Sequence, residues 1–375
     1  MRKSLNILLL LICLFPLNSC YIEDLTFKEE DVVTARDSID NPNQLTFIHL
    51  SDVHRSNISL EPALYYLNHT PTTFALLTGD IMASHNMLKE IQESNKPMLL
   101  IPGNHDAYPF YAYSVGQTGF RTQVLNAVGQ GEKVIFANDQ DNYWYQDYQK
   151  NGYTLRVIGI DQYEYESVDE GPNSLICVYS QPQIDWLIYL LENSGHFDGI
   201  IIAIHAGFGN GKVMGRDRNV TNDFISIYAK GYENSYDYTG EKNIRIIPDI
   251  IDAYQTGINL TEQKYGNNSR GDSLIVTTHF LRPHQNFIAY IGGHAHYDVV
   301  EHLTEYPRQL LALIAYGGDG TGCDQNDLIK NTTNKNSYNF NVNIIDFKKR
   351  ELQIIRKGAN VKIDNTTRDS IVFRY

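Results

Sequence analysis

Short apolar runs that stop abruptly at polar, metal-binding side chains recur along this chain, and that rhythm restricts its fold more than any other feature. The runs are Leu45–Leu50, Phe74–Leu77, Met98–Ile101, Leu155–Ile160, Ile200–Ile204 and Phe287–Ile291. Each has the length of a strand buried on both faces rather than of a core helix. Helix-like stretches lie between them: "EPALYYLNH" (61–69), "NMLKEIQES" (86–94) and "QPQIDWLIYLLENSG" (181–195). The last places Ile184, Leu187, Ile188 and Leu191 at helical spacing, with Pro182 near its start. Strands alternating with helices predict a layered α/β architecture. Residues 206–275 break the rhythm. They are rich in Gly, Asn and Tyr and read as an insertion, the kind of segment that often forms a lid or substrate loop. Beyond residue 296, "VNIIDFKKRELQIIRKG" predicts a closing antiparallel portion, with Lys348, Lys349 and Arg350 as a solvated turn.

The residues just past each run carry the chemistry. Asp52 and His54 come after the first, Asp80 after the second, and Asn104, His105 and Asp106 after the third. His205 ends "GIIIAIHAG", and His294 and His296 end "FIAYIGGHAH". In an α/β sheet the carboxyl ends of the strands form the rim where ligands bind. Any one block has a bland reading. A lone His after a strand is usually structural, and His49, on the strand face opposite Leu50, is read that way. "GNHD" alone would pass for an Asx turn. Five blocks of one chemistry at strand ends point instead to a shared site. Asp52, His54, Asp80, Asn104, His205, His294 and His296 are too many for one ion and suggest two with a shared bridge. Alternate residues of an extended backbone point the same way, so Asp52 with His54, and His294 with His296, are expected to converge. Oxygen and nitrogen donors without thiolate suit Mn, Fe or Zn. Only two of these ligands are carboxylates, so the ion pair stays net positive and can attract a phosphate.

This ordered set, with Gly79-Asp80, Gly103-Asn104-His105-Asp106 and Gly293-His294-x-His296, resembles the calcineurin-like metallophosphoesterase family over roughly residues 45–300. The resemblance implies a four-layer α/β/β/α sandwich with two mixed β-sheets, and two divalent or mixed-valence ions. Asp52, His54, Asp80 and His296 would hold one; Asp80, Asn104, His205 and His294 the other, with Asp80 bridging. It implies hydrolysis of phosphate mono- or diesters by a hydroxide bridging the metals. His105 would stabilise the transition state or protonate the leaving oxygen, with Asp106 orienting it. His279 competes with His205 for its place, because 205 and 294 are far apart in sequence; the helix and buried strand before His205 favour it. Arg282 and His284 are read either as phosphate contacts or as a surface turn. Tyr108, Phe110 and Tyr163 are candidates for the rim. "YGGDGTGC" (316–323) lacks the Lys and Ser/Thr of a phosphate-binding P-loop and reads as a plain loop.

Residues 1–19 read as a cleaved signal peptide, with Arg2 and Lys3 before an apolar run too short to span a bilayer. Leu17-Asn18-Ser19-Cys20 resembles the lipobox of bacterial lipoproteins, which implies lipidation at Cys20 and a tether over 20–44 ahead of a domain at 45–375. The expected location is exported and membrane-anchored, periplasmic or on the outer surface. After processing Cys177 and Cys323 remain, as one disulfide or two buried thiols. The net charge of −13 argues against nonspecific nucleic-acid binding. The expected partner is a small-molecule, lipid or nucleotide phosphate ester. A surface lipoprotein using the same fold to bind without turnover is the other reading. The presence of His105 favours the enzyme.

Overall fold

The computed structural model describes residues 27, 29–37, 39–107, 114–164, 177–208, 245–266, 273–294, 298–303, 305–314, 317, 338–358 and 370–375. Residues 1–20, Tyr108, Phe110, His296 and Cys323, and with them the lipidation and disulfide expectations, lie outside that set. Among the described residues no helix is long and apolar enough to cross a membrane.

The apolar runs are strands, as their length demands. The first sheet contains β1 (Gln44–Leu50), β2 (Phe74–Thr78), β3 (Met98–Ile101), β13 (Asn339–Asp346), β14 (Glu351–Gly358) and β15 (Ser370–Arg374). The second contains β4 (Ile135–Phe136), β5 (Trp144–Lys150), β6 (Tyr153–Gly159), β7 (Gly199–Ala203), β10 (Phe287–Gly292), β11 (Val299–His302) and β12 (Leu310–Leu313). The hairpin β8–β9 (Gln263–Gly266, Ser273–Val276) stands apart. The sheet orders are β15-β14-β13-β1-β2-β3 and β11-β12-β10-β7-β6-β5-β4. Strands β1, β2 and β3 run parallel, as do β6, β7, β10 and β12; antiparallel strands adjoin the first set beyond β1 and the second set on both sides.

Alternation along each strand divides the core into layers. Leu45, Phe47, Leu76, Leu99 and Ile101 face Trp144, Val157, Ile201, Ala203 and Ile291 between the sheets. On the outer side of the first sheet, Ile48, Leu50, Leu77 and Leu100 are covered by helices α1 (Leu60–His69) and α2 (His85–Gln92). Outside the second, Ile158, Ile200, Ile202 and Tyr290 lie under α3 (Gln181–Glu192) and α4 (Ile246–Thr256). The result is the expected four-layer α/β/β/α sandwich. Helix α3 begins where predicted: Ser180 caps it, accepting from the Gln183 N–H at 3.1 Å, and Pro182 occupies its first turn. The Lys348–Arg350 trio is the turn of the β13–β14 hairpin.

Two features go beyond the sequence reading. The described part of the presumed insertion contains α4 and the β8–β9 hairpin, packed on the second sheet. Ile246, Ile247, Ile250, Ile251 and Tyr254 form its buried stripe, and Gly257 ends it in the left-handed region (φ 72°). The strand β5 is absent from the sequence reading because "WYQDYQK" has no apolar run. Its signal is the Asn151-Gly152 pair, both with positive φ, which joins it to β6 in a two-residue hairpin.

Candidate metal centre

The carboxyl ends of β1, β2, β3, β7 and β10 meet at one rim, and their continuations carry the predicted ligands. Past β1 and β2 the parallel ladder continues: Asp52 N–H donates to Gly79 O and His54 N–H to Asp80 O, both at 3.0 Å. The backbone there is not extended, which corrects the expectation of alternating side chains. Asp52 (φ 54°), His54 (φ 42°), Asp80 (φ 51°) and His294 (φ 65°) all lie in the left-handed region. Such conformations cost about 1–3 kcal/mol each and persist where surrounding structure over-determines them. Here they turn the side chains inward at the strand tips. Close approach of the two sheets requires glycine. At Gly79 (φ 93°) a Cβ would collide with the His205 ring and the Gly103 backbone; at Gly293 it would overlap Ser51 Oγ and Asp52 Oδ2.

Asp80 is the centre. Its Oδ1 accepts the His105 backbone N–H at 2.8 Å. Around Oδ2 stand His205 Nε2 at 3.4 Å, His54 Nε2 at 3.7 Å and His105 Nε2 at 3.9 Å. Asn104 Oδ1 is 3.1 Å from both His205 Nε2 and His294 Nδ1. Asp52 Oδ2 accepts the His294 backbone N–H at 2.8 Å, and its Oδ1 is 4.0 Å from His54 Nε2. Two groups of potential cation ligands result, His54-Asp80-His105 and Asp80-His205-His294, and they share Asp80.

Hydrogen-bond roles test whether this cluster suits cations. His205 Nδ1 is 2.7 Å from the Thr78 carbonyl, which only accepts, so Nδ1 carries the hydrogen. In the neutral ring Nε2 then presents a lone pair to the Asp80 carboxylate and the Asn104 carboxamide oxygen. Acceptors converge with no donor among them unless a proton or a cation sits between. Two donors each about 2.1 Å from one ion, at angles between octahedral and tetrahedral, lie roughly 3.0–3.4 Å apart. The Asp80–His205 and Asn104–His205 separations, 3.4 and 3.1 Å, match that spacing. Burial alone would lower the His205 imidazole, yet Asp80 carries it up to about 9. Burial would raise Asp80, but His205, His105 and His54 hold it well below the usual carboxylate range. The Asp80 carboxylate therefore stays charged, and its field favours a positive charge beside it, whether a proton on His205 or a metal ion.

Asp106 lies beneath this cluster. Its Oδ1 accepts the Met82 and Ile81 N–H groups at 2.7 and 3.1 Å, and its Oδ2 accepts the Gly103 N–H at 3.0 Å. The carboxylate thus clamps the loops after β2 and β3. Burial, then Asp80, push it up to about 6 against the pull of the amides.

The other candidates separate clearly. His279 is exposed, and its N–H is bound to Glu192 Oε1 at 2.9 Å, whereas His205 is in the cluster. Arg282 reaches Gly195 O at 3.4 Å, and the His284 ring stacks on Tyr254 at 4.3 Å. Gly195 lies between the end of α3 and the start of β7, at the sheet end opposite the rim, so both belong to a surface turn there. Tyr163 is buried, edge-on to His205 at 5.9 Å, and offers no open face to a substrate. His49 is buried between the sheets, with Nε2 2.9 Å from Thr78 Oγ1. The Thr78 carbonyl, which orients His205 and also accepts from Ser51 Oγ, escapes sequence reading because it is main chain.

Fold and site together define a two-sheet α/β sandwich with a His/Asp/Asn centre suited to two cations. The model of the calcineurin-like phosphoesterase family matches residues 45–298, and the chain belongs to that family. A crystal structure of a dimetal phosphatase from Danio rerio is similar, at 13% identity and a TM-score of 0.51, covering 88% of this chain and 99% of that one. The structure of PhoD matches at 11% identity with a TM-score of 0.48, covering 88% of this chain and 70% of the other. No curated protein matches the sequence.

Proposed function

We propose that this chain hydrolyses phosphate mono- or diesters with two divalent cations held on either side of Asp80. Membership of the family supports a metal-dependent phosphoesterase in general. The observation that carries the finer reading is the sharing of one buried carboxylate by two groups of histidines. Asp52 and His54 would hold one cation with Asp80; Asn104, His205 and His294 would hold the other. His296 completes the first set by its place in the motif. Two such ions, when bound, supply an activated water and neutralise charge on the phosphoryl oxygens.

The chain's own residues do the rest. The His105 side chain is 27% exposed, against 14% for His54 and 0% for His205, so among the described members of the cluster it is the one most open to a substrate. Its backbone is held by Asp80, and its ring stands edge-on to His54 at 4.7 Å. From there it can hand a proton to a leaving oxygen or stabilise charge on the phosphoryl group.

The test is the purified protein loaded with Mn²⁺ and assayed against a panel of mono- and diesters, beside Asp80→Ala. Wild type should turn over at least one ester class, and Asp80→Ala should lose both ions by elemental analysis together with activity. An Asp80→Ala protein that keeps two ions, or a loaded wild type inert toward every ester, would end this reading.

A further inference from the structure

We infer that Gln162 is a positioning residue that holds His205 at the metal centre. This deepens the reading of His205 as a ligand and rests on it. Gln162 is fully buried just beyond β6. Its Oε1 accepts two backbone N–H groups at once, those of His205 at 2.8 Å and Ala206 at 2.7 Å. Its Nε2 donates to the Ala206 carbonyl at 2.9 Å. One carboxamide therefore engages three main-chain groups just past the end of β7, on the side where β6 no longer pairs with the chain.

The other contacts of His205 show why that grip matters. Its carbonyl accepts the Gly293 N–H at 2.8 Å, and its Nδ1 meets Thr78 O at 2.7 Å. Backbone N–H, backbone C=O and ring are thus each held by a different strand end. Only with all three set does Nε2 face Asp80 and Asn104. Gln162 is in turn anchored from outside the sheet. Gln183, in the first turn of α3, accepts the Asp161 N–H and donates to the Asp161 carbonyl, both at 2.9 Å. Two carboxamide clamps in series therefore connect the start of α3 to the ligand. An aliphatic side chain of similar size would fill the space but leave buried amides without an acceptor, and the loop would shift to find one.

The experiment measures ion binding and ring state in the full chain. Outer partners of metal ligands typically change metal affinity by 10–100-fold when removed. In Gln162→Leu, Mn²⁺ titration followed by electron paramagnetic resonance should show the affinity of one ion falling by about 10–100-fold while the other holds within about 2-fold. Gln162→Glu, protonated in this buried place, keeps an acceptor for the two N–H groups and an O–H donor for the Ala206 carbonyl; it should recover most of the loss and also guards against misfolding of the Leu variant. A merely structural role would lower the unfolding midpoint and leave both affinities alike. A second readout does not need metal: ¹⁵N imidazole spectra of the metal-free protein should show the His205 Nδ1–H, bonded to Thr78 O, protected from solvent exchange in wild type and exchanging in Gln162→Leu. Two wild-type affinities and an unchanged Nδ1–H would overturn the inference. A wild type that binds no ion would overturn the proposed function, while the imidazole spectra would still decide the role of Gln162.

Discussion

The buried His49 gives the sharpest prediction, because the structure sets its sign and size. Burial, then the charge of Arg356, lower its imidazole from 6.5 to about 3, outweighing the opposing pull of Asp52. The ring therefore stays neutral in the fold, while the unfolded chain binds a proton there near pH 6.5. A depressed folded value means stability fully present above pH 6.5 and lost as pH falls toward 3, because the unfolded state then binds more protons. Between pH 8 and pH 5 the loss from this group is RT ln[(1 + 10^1.5)/(1 + 10^−2)], about 2 kcal/mol. His49→Gln stays neutral at both pH values and retains a group that can reach Thr78 Oγ1. Urea unfolding of wild type and variant at pH 8 and pH 5, both metal-free, gives a double difference in which all other titrating groups cancel. Wild type should lose about 2 kcal/mol more than the variant. Equal losses would mean that His49 is not held neutral and that the packing between the sheets does not exclude its charge.

Other outcomes rest on the site geometry. Asp106→Ala leaves three buried or half-buried amides without their acceptor and should cost about 3 kcal/mol in urea unfolding; full stability with lost turnover would instead make Asp106 a participant in the chemistry. His105→Ala should retain both ions by elemental analysis yet slow turnover by about 10²-fold or more, and unchanged turnover would remove His105 from the mechanism. Gly293→Ala places a methyl against Ser51 and Asp52; displacement of these groups should cost about 1–3 kcal/mol and weaken ion binding, which calorimetry and metal titration would both register.

Local chemistry makes much of this molecule legible from one dimension. Apolar runs bounded by turn residues announce β1, β2, β3, β6, β7 and β10, because strands buried on both faces are mostly apolar, with only isolated polar positions such as His49 and Arg156 within them. Helix α3 declares itself through its apolar spacing and the Pro182 near its start. By contrast β5 is largely half-buried, so its pattern carries no run, and α4 is obscured by the glycine- and tyrosine-rich stretch before it.

Residue types and their places after the strands are enough to say that Asp52, His54, Asp80, Asn104, His205 and His294 share a rim. They cannot say how the side chains meet. His294 and Asp52 are 242 positions apart, and their 2.8 Å contact exists because two sheets pack face to face in one register. The direction in which Asp106 turns its carboxylate, the grip of Gln162 on the His205 backbone and the left-handed residues at the strand tips are decided in the same way. Short stretches of chain encode burial and turn chemistry; contacts between strand ends depend on sheet order and packing, which only the assembled core specifies.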